Sequence, residues 1–338
     1  MKNLKFLTLY TVVLFVYSCG NKPLEIDTSA IEISEVKINR LEQDLFTIDT
    51  ANIEKATDAL EKKYNAFYGH FIARMINNGG IADSSYEFRI KQFITDKDMK
   101  TAYESCQKTY PTVDEMEAAF TDVFKHYKYY FPKKSTPKVV TMMSGFNQWN
   151  VVMDSTIAIG LEMYLGKSNQ FYKMLALPQY KTNYMNKENA VPDAVRNWLM
   201  TEFSYNMDKS DFLSDITYIG KIMHLSDAVM PNVADTIKTQ YTQLQMEYCI
   251  QNEFNIWSYF TAQKMLYTSD QTEIMKYTSD GPFTSAFSKN APPRIAYWVG
   301  WQIVRQYMKN NPDITLEQLM NETDAQKILS KAKYKPGK

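Results

Sequence analysis

The spacing of the apolar residues is the feature that most constrains the fold of this 338-residue chain. Two short apolar runs, at residues 138–143 and 155–160, are typical of buried strands. From Thr50 onward, most of the remaining chain repeats its apolar residues every three or four positions, which is the period of one helix face. The first such series is Ile53, Ala56, Leu60, Tyr64, Phe67, Phe71 and Met75. The pattern predicts a mainly α fold with a small β-sheet, of the α+β class.

Capping and breaking residues predict where the other elements begin and end. Thr112, Thr242 and Thr315 each stand three positions before a Glu or Gln, which is the capping-box pattern. Pro192 suits the first turn of a helix. A first short strand is expected within 36–45. The principal helices are predicted at 84–95, 98–108, 112–130, 192–203, 211–229, 242–266 and 294–309.

The amino-terminal segment resembles a bacterial lipoprotein signal that ends at Cys19. Lys2 and Lys5 give it a basic start, and 6–17 form an apolar run. This run is about half the roughly 20 residues that span a bilayer, so it predicts a cleaved signal peptide at 1–18. Cleavage would leave Cys19 to carry acyl chains that bind the lipid bilayer. The alternative is an ordinary signal peptide with an incidental cysteine.

The residues after Cys19 predict a tether and a location. Residues 20–35 are mostly polar, which predicts a lipidated tether at 19–35 followed by a single domain at 36–335. Gly20 follows the cysteine, as in lipoproteins released to the outer membrane, and no acidic residue occurs in 20–23. We therefore expect a cell-envelope protein anchored at the periplasmic face of the outer membrane.

The charge balance argues against nucleic acid as a partner. Loss of Lys2 and Lys5 with the signal leaves 36 basic residues against 38 acidic ones. Proteins that bind nucleic acid usually present a basic field, which a near-neutral chain lacks. Cys106 and Cys249 are the other two cysteines. Both lie in helical patterns and are predicted to be separate buried thiols, although a periplasmic location would permit a disulfide.

The sequence contains none of the common motifs for a metal or a cofactor. His70, His126 and His224 are isolated from one another, so no HExxH zinc helix is present. A CxxC pair, a P-loop, a Rossmann glycine pattern and a GxSxG elbow are also missing. We predict no metal, no cofactor and no catalytic residue.

Two segments have a composition that suits a cleft or a partner surface. The turn after the first strand pattern contains Ser144, Phe146 and Asn147, which could line a pocket. The carboxyl-terminal block 292–305 places Arg294, Trp298 and Arg305 on a similar helix face, together with Trp301. The alternative is a tightly packed buried helix. Because a buried, unpaired charge is costly, at least one of the two arginines should meet a carboxylate or line an open cleft.

Eight segments of the chain carry a resemblance to a known family. They are VVTMMSGFN, AIGLEMYLG, LALPQY, VPDAVRNWLMTEF, ITYIGKIMHLSDAVMP, EIMKYTSDGPFT, PPRIAYWVGWQIVRQYM and DAQKILSKAKYKP. In this order and with the lipoprotein signal, they resemble the GldB family of gliding motility lipoproteins of the Bacteroidetes. The resemblance implies a role in surface motility, in association with the gliding apparatus and its type IX secretion machinery. It implies neither an enzymatic activity nor a cofactor.

A more distant likeness is to zinc metallopeptidases of the HExxH type, and it implies a zincin-like scaffold that lacks the metal ligands. The zinc helix would be 193–203, which contains no His, and Ile219 stands where a ligand Glu is needed. Asp193, Arg196 and Glu202 remain polar on the first of these helices and could form a structural network or a binding cleft.

Together these patterns predict a non-catalytic, lipid-anchored envelope protein that supports the gliding or type IX secretion machinery. A divergent metal-dependent hydrolase that uses Asp193 and Glu202 is one alternative. An envelope glycan-binding protein is another, suggested by the 24 Tyr, 18 Phe and 5 Trp.

Overall fold

A computed structural model describes residue 24 and residues 26–76, 79–205 and 210–337. The predicted signal peptide at 1–18 and Cys19, the predicted site of lipid attachment, lie outside the described residues. Within the described ranges, the fold is mainly helical with one four-stranded sheet, which confirms the predicted α+β class.

The sheet has the strand order β1-β2-β4-β3, and its strands are β1 (Ile38–Arg40), β2 (Lys138–Met142), β3 (Asn150–Met153) and β4 (Thr156–Gly160). β2 lies at the centre and runs parallel to both β1 and β4, whereas β3 is antiparallel to β4. The predicted pairing of the runs 138–143 and 155–160 is confirmed, because these runs contain β2 and β4. The predicted strand within 36–45 is shorter than that range, since a helix begins at Leu41.

Sequence analysis missed strand β3. It joins β4 through a two-residue turn in which Asp154 and Ser155 have φ angles of 47° and 57°. Positive φ at both central residues is the geometry of a type I′ hairpin turn. The usual Asn-Gly or Asp-Gly signal for that turn is replaced here by Asp-Ser, so the pattern did not indicate a hairpin.

Helices cover most of the rest of the described chain. In the first half they are α1 (Leu41–Phe46), α2 (Ile53–Tyr64), α3 (Ala66–His70), a π-helical turn at Phe71–Met75, α4 (Tyr86–Thr95), α5 (Lys97–Thr109), α6 (Asp114–Tyr130) and a 3₁₀ turn at Leu161–Tyr164. Next come α7 (Gln170–Met174), α8 (Gln179–Thr182), α9 (Lys187–Glu202), α10 (Phe212–Val229), α11 (Asp235–Thr239), α12 (Gln243–Gln251) and α13 (Glu253–Ala262). A 3₁₀ turn at Met265–Tyr267 is followed by α14 (Gln271–Thr278), α15 (Ile295–Asn310), α16 (Leu316–Asn321) and α17 (Ala325–Ala332).

Capping boxes are present at Thr242 and Thr315, as predicted. The box predicted at Thr112 is wrong: α6 begins at Asp114, and Glu115 instead pairs with Lys187, with 2.6 Å between Oε2 and Nζ. The single helix predicted at 242–266 is also wrong, because Asn252 separates α12 from α13.

The predicted start of the helix at Pro192 is wrong as well. Helix α9 begins five residues earlier, at Lys187, so Pro192 lies inside it. A proline at that position cannot donate a hydrogen bond to the carbonyl of Glu188. Both Pro192 and the adjacent Asp193 are buried, so contacts with the rest of the fold offset that loss.

The sheet separates two hydrophobic clusters. On β2 and β4, Val139 and Ile157 face the larger cluster, whereas Val140 and Ala158 face the smaller one. This alternation is the two-residue period of a strand. Helices α1 to α4 cover the smaller cluster, and the larger one holds most of the remaining helices. Both faces of the sheet are therefore protected from water.

Helix α10 lies at the centre of the larger cluster and packs against α15. Every residue of α10 except Ser214 is buried. The two helices cross where glycines face each other: a Cβ built on Gly220 would lie 2.2 Å from the carbonyl oxygen of Gly300. Only glycines allow the two backbones to approach this closely.

The predicted tether contacts the domain in its described part. Leu24, Ile33 and Val36 are partly buried and pack against the larger cluster. The chain is thus in contact with the domain well before strand β1.

Candidate functional site

One face of α9 lines a cleft. Asp193, Arg196, Asn197 and Met200 recur at spacings of three and four residues, which places them on one side of the helix. All four line an outer cavity of about 290 Å³. The opposite side of this cavity is polar and aromatic, and it is lined by Trp149, Asn150, Lys181, Tyr184, Gln240 and Asp280.

An inner cavity of about 210 Å³ adjoins the outer one, since Arg196 and Met200 line both. The inner cavity lies beside the crossing of α10 and α15 and is largely apolar. Its remaining lining residues are Ile219, Met223, Lys238, Thr239, Tyr241, Arg294, Tyr297, Trp298 and Trp301. We refer to the two cavities together as the cleft.

Asp193 is a buried carboxylate in the wall of the outer cavity. It accepts hydrogen bonds from Gln240 Nε2 at 2.9 Å and from Tyr164 Oη at 3.3 Å, and Arg196 lies 3.0 Å away as its ion-pair partner. Burial raises the pKa of Asp193, and the Arg196 charge together with the two hydrogen bonds opposes that rise. The side chain is held firmly by its three partners.

Arg294 lines the inner cavity and contacts Gln240, a residue that lines the outer one. Its backbone is left-handed, with φ of 55°, immediately before α15 begins. The guanidinium donates to Gln240 Oε1 and to the Thr239 carbonyl, each at 3.2 Å. Its Nε lies 3.7 Å from Asp280 Oδ1 and has no hydrogen-bond partner among the described residues. A guanidinium has five N–H donors, so these two bonds leave three of them without an acceptor among the described residues.

Trp298 and Arg305 are also on α15 but have different environments. Trp298 is 4% exposed and lines the inner cavity. Arg305 lies outside the lining, with its guanidinium carbon 3.6 Å from the ring centre of Trp301. Trp298 and Trp301 are both buried, which agrees with the alternative interpretation of this segment as a tightly packed helix.

Arg305 binds two carboxylates, which confirms the prediction that an arginine of this helix is paired. It donates to Asp227 at 2.9 and 3.0 Å and to Asp235 at 3.0 and 3.2 Å. Asp227 also accepts from Trp301 Nε1 at 2.9 Å and from Lys238 Nζ at 3.0 Å. This buried charge cluster fixes α10, α11 and α15 behind the inner cavity.

Comparison with known proteins places the chain in a family. The family model of the gliding motility protein GldB matches residues 21–336. The chain belongs to the GldB family. It matches no curated protein and no solved structure. The resemblance seen in the eight sequence segments is thereby confirmed over almost the whole GldB chain.

The loop at 144–147 does not line the cleft of this GldB chain. Ser144 is fully buried, and its backbone N and Oγ donate to Glu162 Oε1 at 2.6 and 2.8 Å. Phe146 packs against Phe171 with 5.3 Å between the ring centres. Asn147 donates to the carbonyls of Ser144 and Met75, and the next residues along the chain, from Trp149, reach the outer cavity.

Glu202 lies apart from the other candidate residues of α9. It pairs with Lys134 at 2.5 Å and is not among the described residues that line the cleft. Sequence analysis named Asp193 and Arg196 on one helix and Arg294 and Trp298 on another, and it did not predict that they converge. It did not predict that Gln240 and Asp280 are their partners, although Asp280 begins a recognisable Asp-Gly-Pro turn.

Cys106 and Cys249 are free and buried, which confirms the prediction of two separate thiols. Within the described ranges, no three His, Cys, Asp or Glu side chains come together as a metal-binding group. No helix in the part of the chain that the structure describes has both the length and the apolarity to cross a bilayer.

Glu162 is a fully buried acid whose ionisation affects stability. Burial raises its pKa from 4.5 to about 7, although Ser144 and Phe146 donate hydrogen bonds that favour the charged form. Between these two pH values the folded state keeps a proton that the unfolded state has lost. The contribution of the Glu162 carboxyl to the free energy of unfolding is therefore complete below about pH 4.5, and it is lost as the pH rises through about 7.

We expect the Glu162→Gln variant to lose this pH dependence, because its amide cannot ionise but can still accept from Ser144. Relative to the variant, the wild type should lose about 3 kcal/mol of unfolding free energy between about pH 4.5 and 7, at about 1.4 kcal/mol per pKa unit. Urea unfolding of both proteins across this range measures the difference. A constant difference would contradict the prediction.

His224 has the opposite effect on the pH dependence of stability. The effect of Glu162 is therefore measured as the difference between the wild type and Glu162→Gln. Both ring nitrogens are buried without a hydrogen-bond partner among the described residues, and burial lowers the pKa of His224 from 6.5 to about 4. The unfolded state holds the extra proton in this window, so stability rises as the pH increases from about 4 to 6.5. In the wild type the effects of His224 and Glu162 largely offset each other.

Proposed function

We propose that this protein is a non-catalytic, lipid-anchored component of the cell envelope that is required for gliding motility and supports the gliding or type IX secretion machinery. The observation that carries the proposal is the match of residues 21–336 to the GldB family, which spans almost the whole chain. The lipoprotein signal that ends at Cys19 supports attachment to a membrane, with the periplasmic face of the outer membrane as the proposed site.

The arrangement of the acidic residues of α9 supports a non-catalytic role. Hydrolysis by Asp193 and Glu202 would require both carboxylates to act at one bond. They are nine residues apart, which places them about 13 Å apart along the axis and on nearly opposite sides of the helix. Each is also paired with a cation of its own, Arg196 and Lys134 respectively. The two acids therefore cannot form a catalytic pair within this helix.

Deletion of the gene should abolish colony spreading, and the wild-type gene supplied in trans should restore it. The Cys19→Ala protein should not restore spreading, because it lacks the acyl chains that hold a processed lipoprotein at the membrane. Metabolic labelling with a fatty acid, followed by fractionation of the membranes, tests the anchor directly. We expect neither label nor stable membrane association for Cys19→Ala.

Cys106→Ala is the matched control, because it replaces a buried cysteine inside the domain without touching the anchor. It should keep the fatty-acid label and restore spreading. Normal spreading of a clean deletion strain would refute the motility role. Labelling of Cys19→Ala at the wild-type level would refute acylation at Cys19 while leaving the motility role in place.

A further inference from the structure

The inner cavity has the size and lining of a small-molecule site. Its volume of about 210 Å³ exceeds the roughly 150 Å³ of an apolar cavity that binds benzene. Ile219 and Met223 from α10 face Trp298 and Trp301 from α15 across it. The cavity can hold one aromatic ring or a short alkyl chain, and its walls provide apolar contacts.

The charges around the inner cavity are of one sign. Among the described residues that line it, all the charged side chains are cationic, namely Arg196, Lys238 and Arg294. Arg196 is paired with Asp193 in the outer cavity, and Lys238 is paired with Asp227 behind the wall. An apolar chamber with a cationic lining favours a ligand that combines an apolar body with an anionic group.

Arg294 is the cation best placed to bind that group. Its nearest acid, Asp280, is 3.7 Å from Nε, which is beyond hydrogen-bond distance, and each terminal nitrogen of the guanidinium has a second N–H without an acceptor among the described residues. The left-handed backbone of Arg294 is uncommon for a residue with a side chain.

We propose that the inner cavity binds a small apolar carboxylate, with its ring or alkyl group against Trp298 and Met223 and its carboxylate on Arg294. A carboxylate accepts charge-assisted hydrogen bonds from a guanidinium, which are stronger than bonds between neutral groups. The ligand enters through the outer cavity, which shares Arg196 and Met200 with the inner one. This site is independent of the proposed motility role and of the lipid anchor.

The test is isothermal titration of the purified full-length protein with 3-phenylpropionate and, separately, with its neutral amide. The two probes have the same apolar body and differ in charge. We expect the carboxylate to bind about tenfold to a hundredfold more tightly than the amide, the effect of a hydrogen bond to a charged group. Equal affinity for the two probes, or no binding of either, would overturn the proposal.

Variants assign the carboxylate contact to Arg294. Arg294→Gln should lose most of the preference for the carboxylate, whereas Arg294→Lys should retain part of it because the positive charge remains. Lys309→Gln is the matched control, since it removes an exposed charge from the same helix. The melting temperature of each variant establishes that it is folded. An unchanged preference in folded Arg294→Gln would exclude Arg294 as the binding residue.

A variant that fills the cavity tests the location of the apolar body. Ile219→Phe places a larger side chain in the inner cavity and should abolish binding of 3-phenylpropionate in protein that still melts cooperatively. Full binding by that variant would place the ligand elsewhere and overturn the proposal.

Two further probes distinguish the sources of an apolar carboxylate. An acetylated tripeptide that ends in a free Phe carboxylate represents the carboxyl terminus of a protein, and octanoate represents a free fatty acid. Competition of either probe with 3-phenylpropionate supports the proposal and identifies the source. If neither competes, the site does not accept a physiological apolar carboxylate and the proposal fails.

Discussion

Replacement of Gly300 by alanine is expected to lower the free energy of unfolding by about 4 kcal/mol or more. The added Cβ would lie 1.8 Å from the carbonyl oxygen of Ile216, a contact that no rotation of a side chain can relieve. Helices α10 and α15 would have to move apart along the centre of the core. The higher intrinsic helix propensity of alanine, about 1 kcal/mol, is too small to compensate.

Gly69→Ala provides the matched control for this substitution. Gly69 is also in a helix, but a Cβ built there would have its nearest neighbour, Ile81 Cδ1, at 3.6 Å, which is an ordinary contact. We expect Gly69→Ala to be as stable as the wild type or slightly more stable. Thermal and urea unfolding of the two variants measure the difference. Equal stability of the two would show that the α10–α15 crossing is not tightly constrained.

The same crossing controls the shape of the inner cavity. Ile219 and Met223 lie close to Gly220 along α10, and Trp298 and Trp301 lie close to Gly300 along α15. Any displacement of the two helices would therefore change the distance between the cavity walls. Under conditions in which Gly300→Ala remains folded, we expect it to bind 3-phenylpropionate more weakly than the wild type does.

Replacement of Asp227 by alanine should cost about 3–5 kcal/mol, which is the usual effect of removing one partner of a buried ion pair. The Asp227 carboxylate accepts from Lys238, Trp301 and Arg305, and Lys238 is only 4% exposed. Without Asp227, the ammonium group of Lys238 would remain buried with Asp235 4.0 Å away. Denaturant unfolding at neutral pH measures the loss.

Two comparisons separate charge from packing in this experiment. Asp227→Asn keeps the shape of the side chain and removes its charge, so it should also be strongly destabilised. Glu273→Ala removes an acid from an exposed pair with Lys276 and should leave the free energy of unfolding nearly unchanged, since surface pairs contribute little. If Asp227→Ala were no less stable than Glu273→Ala, the buried cluster would not be important for the fold.

Local signals explain which parts of the fold could be predicted from the sequence. The capping boxes at Thr242 and Thr315 depend on residues three positions apart, and both form. The box at Thr112 does not form, because the helix begins at Asp114 and its N-cap residue is Val113, so Thr112 lies one residue too early. The helix start predicted at Pro192 is wrong, because burial within the fold offsets the hydrogen bond that this proline cannot make.

The candidate site could be predicted only in part. Asp193 and Arg294 were identified as polar residues in apolar surroundings, but no sequence pattern shows that positions about 100 residues apart meet in space. Asp227 and Glu162 were missed, although each stands within a strongly apolar segment. A charged residue in such a segment must be paired or protonated when it is buried. That rule, applied to the sequence alone, identifies both residues.

The contact of Leu24 with the core limits how far the domain can travel from a membrane. Once Cys19 is acylated, as proposed, five residue steps separate the lipid from Leu24, and a fully extended chain covers at most about 18 Å over that length. A domain of this size has a radius of gyration of about 19 Å. The anchored surface of the protein would then stay within about 18 Å of the bilayer while the domain tilts and rotates. A partner anchored in the same membrane would then meet it close to the lipid, where anchoring raises the effective concentration of both.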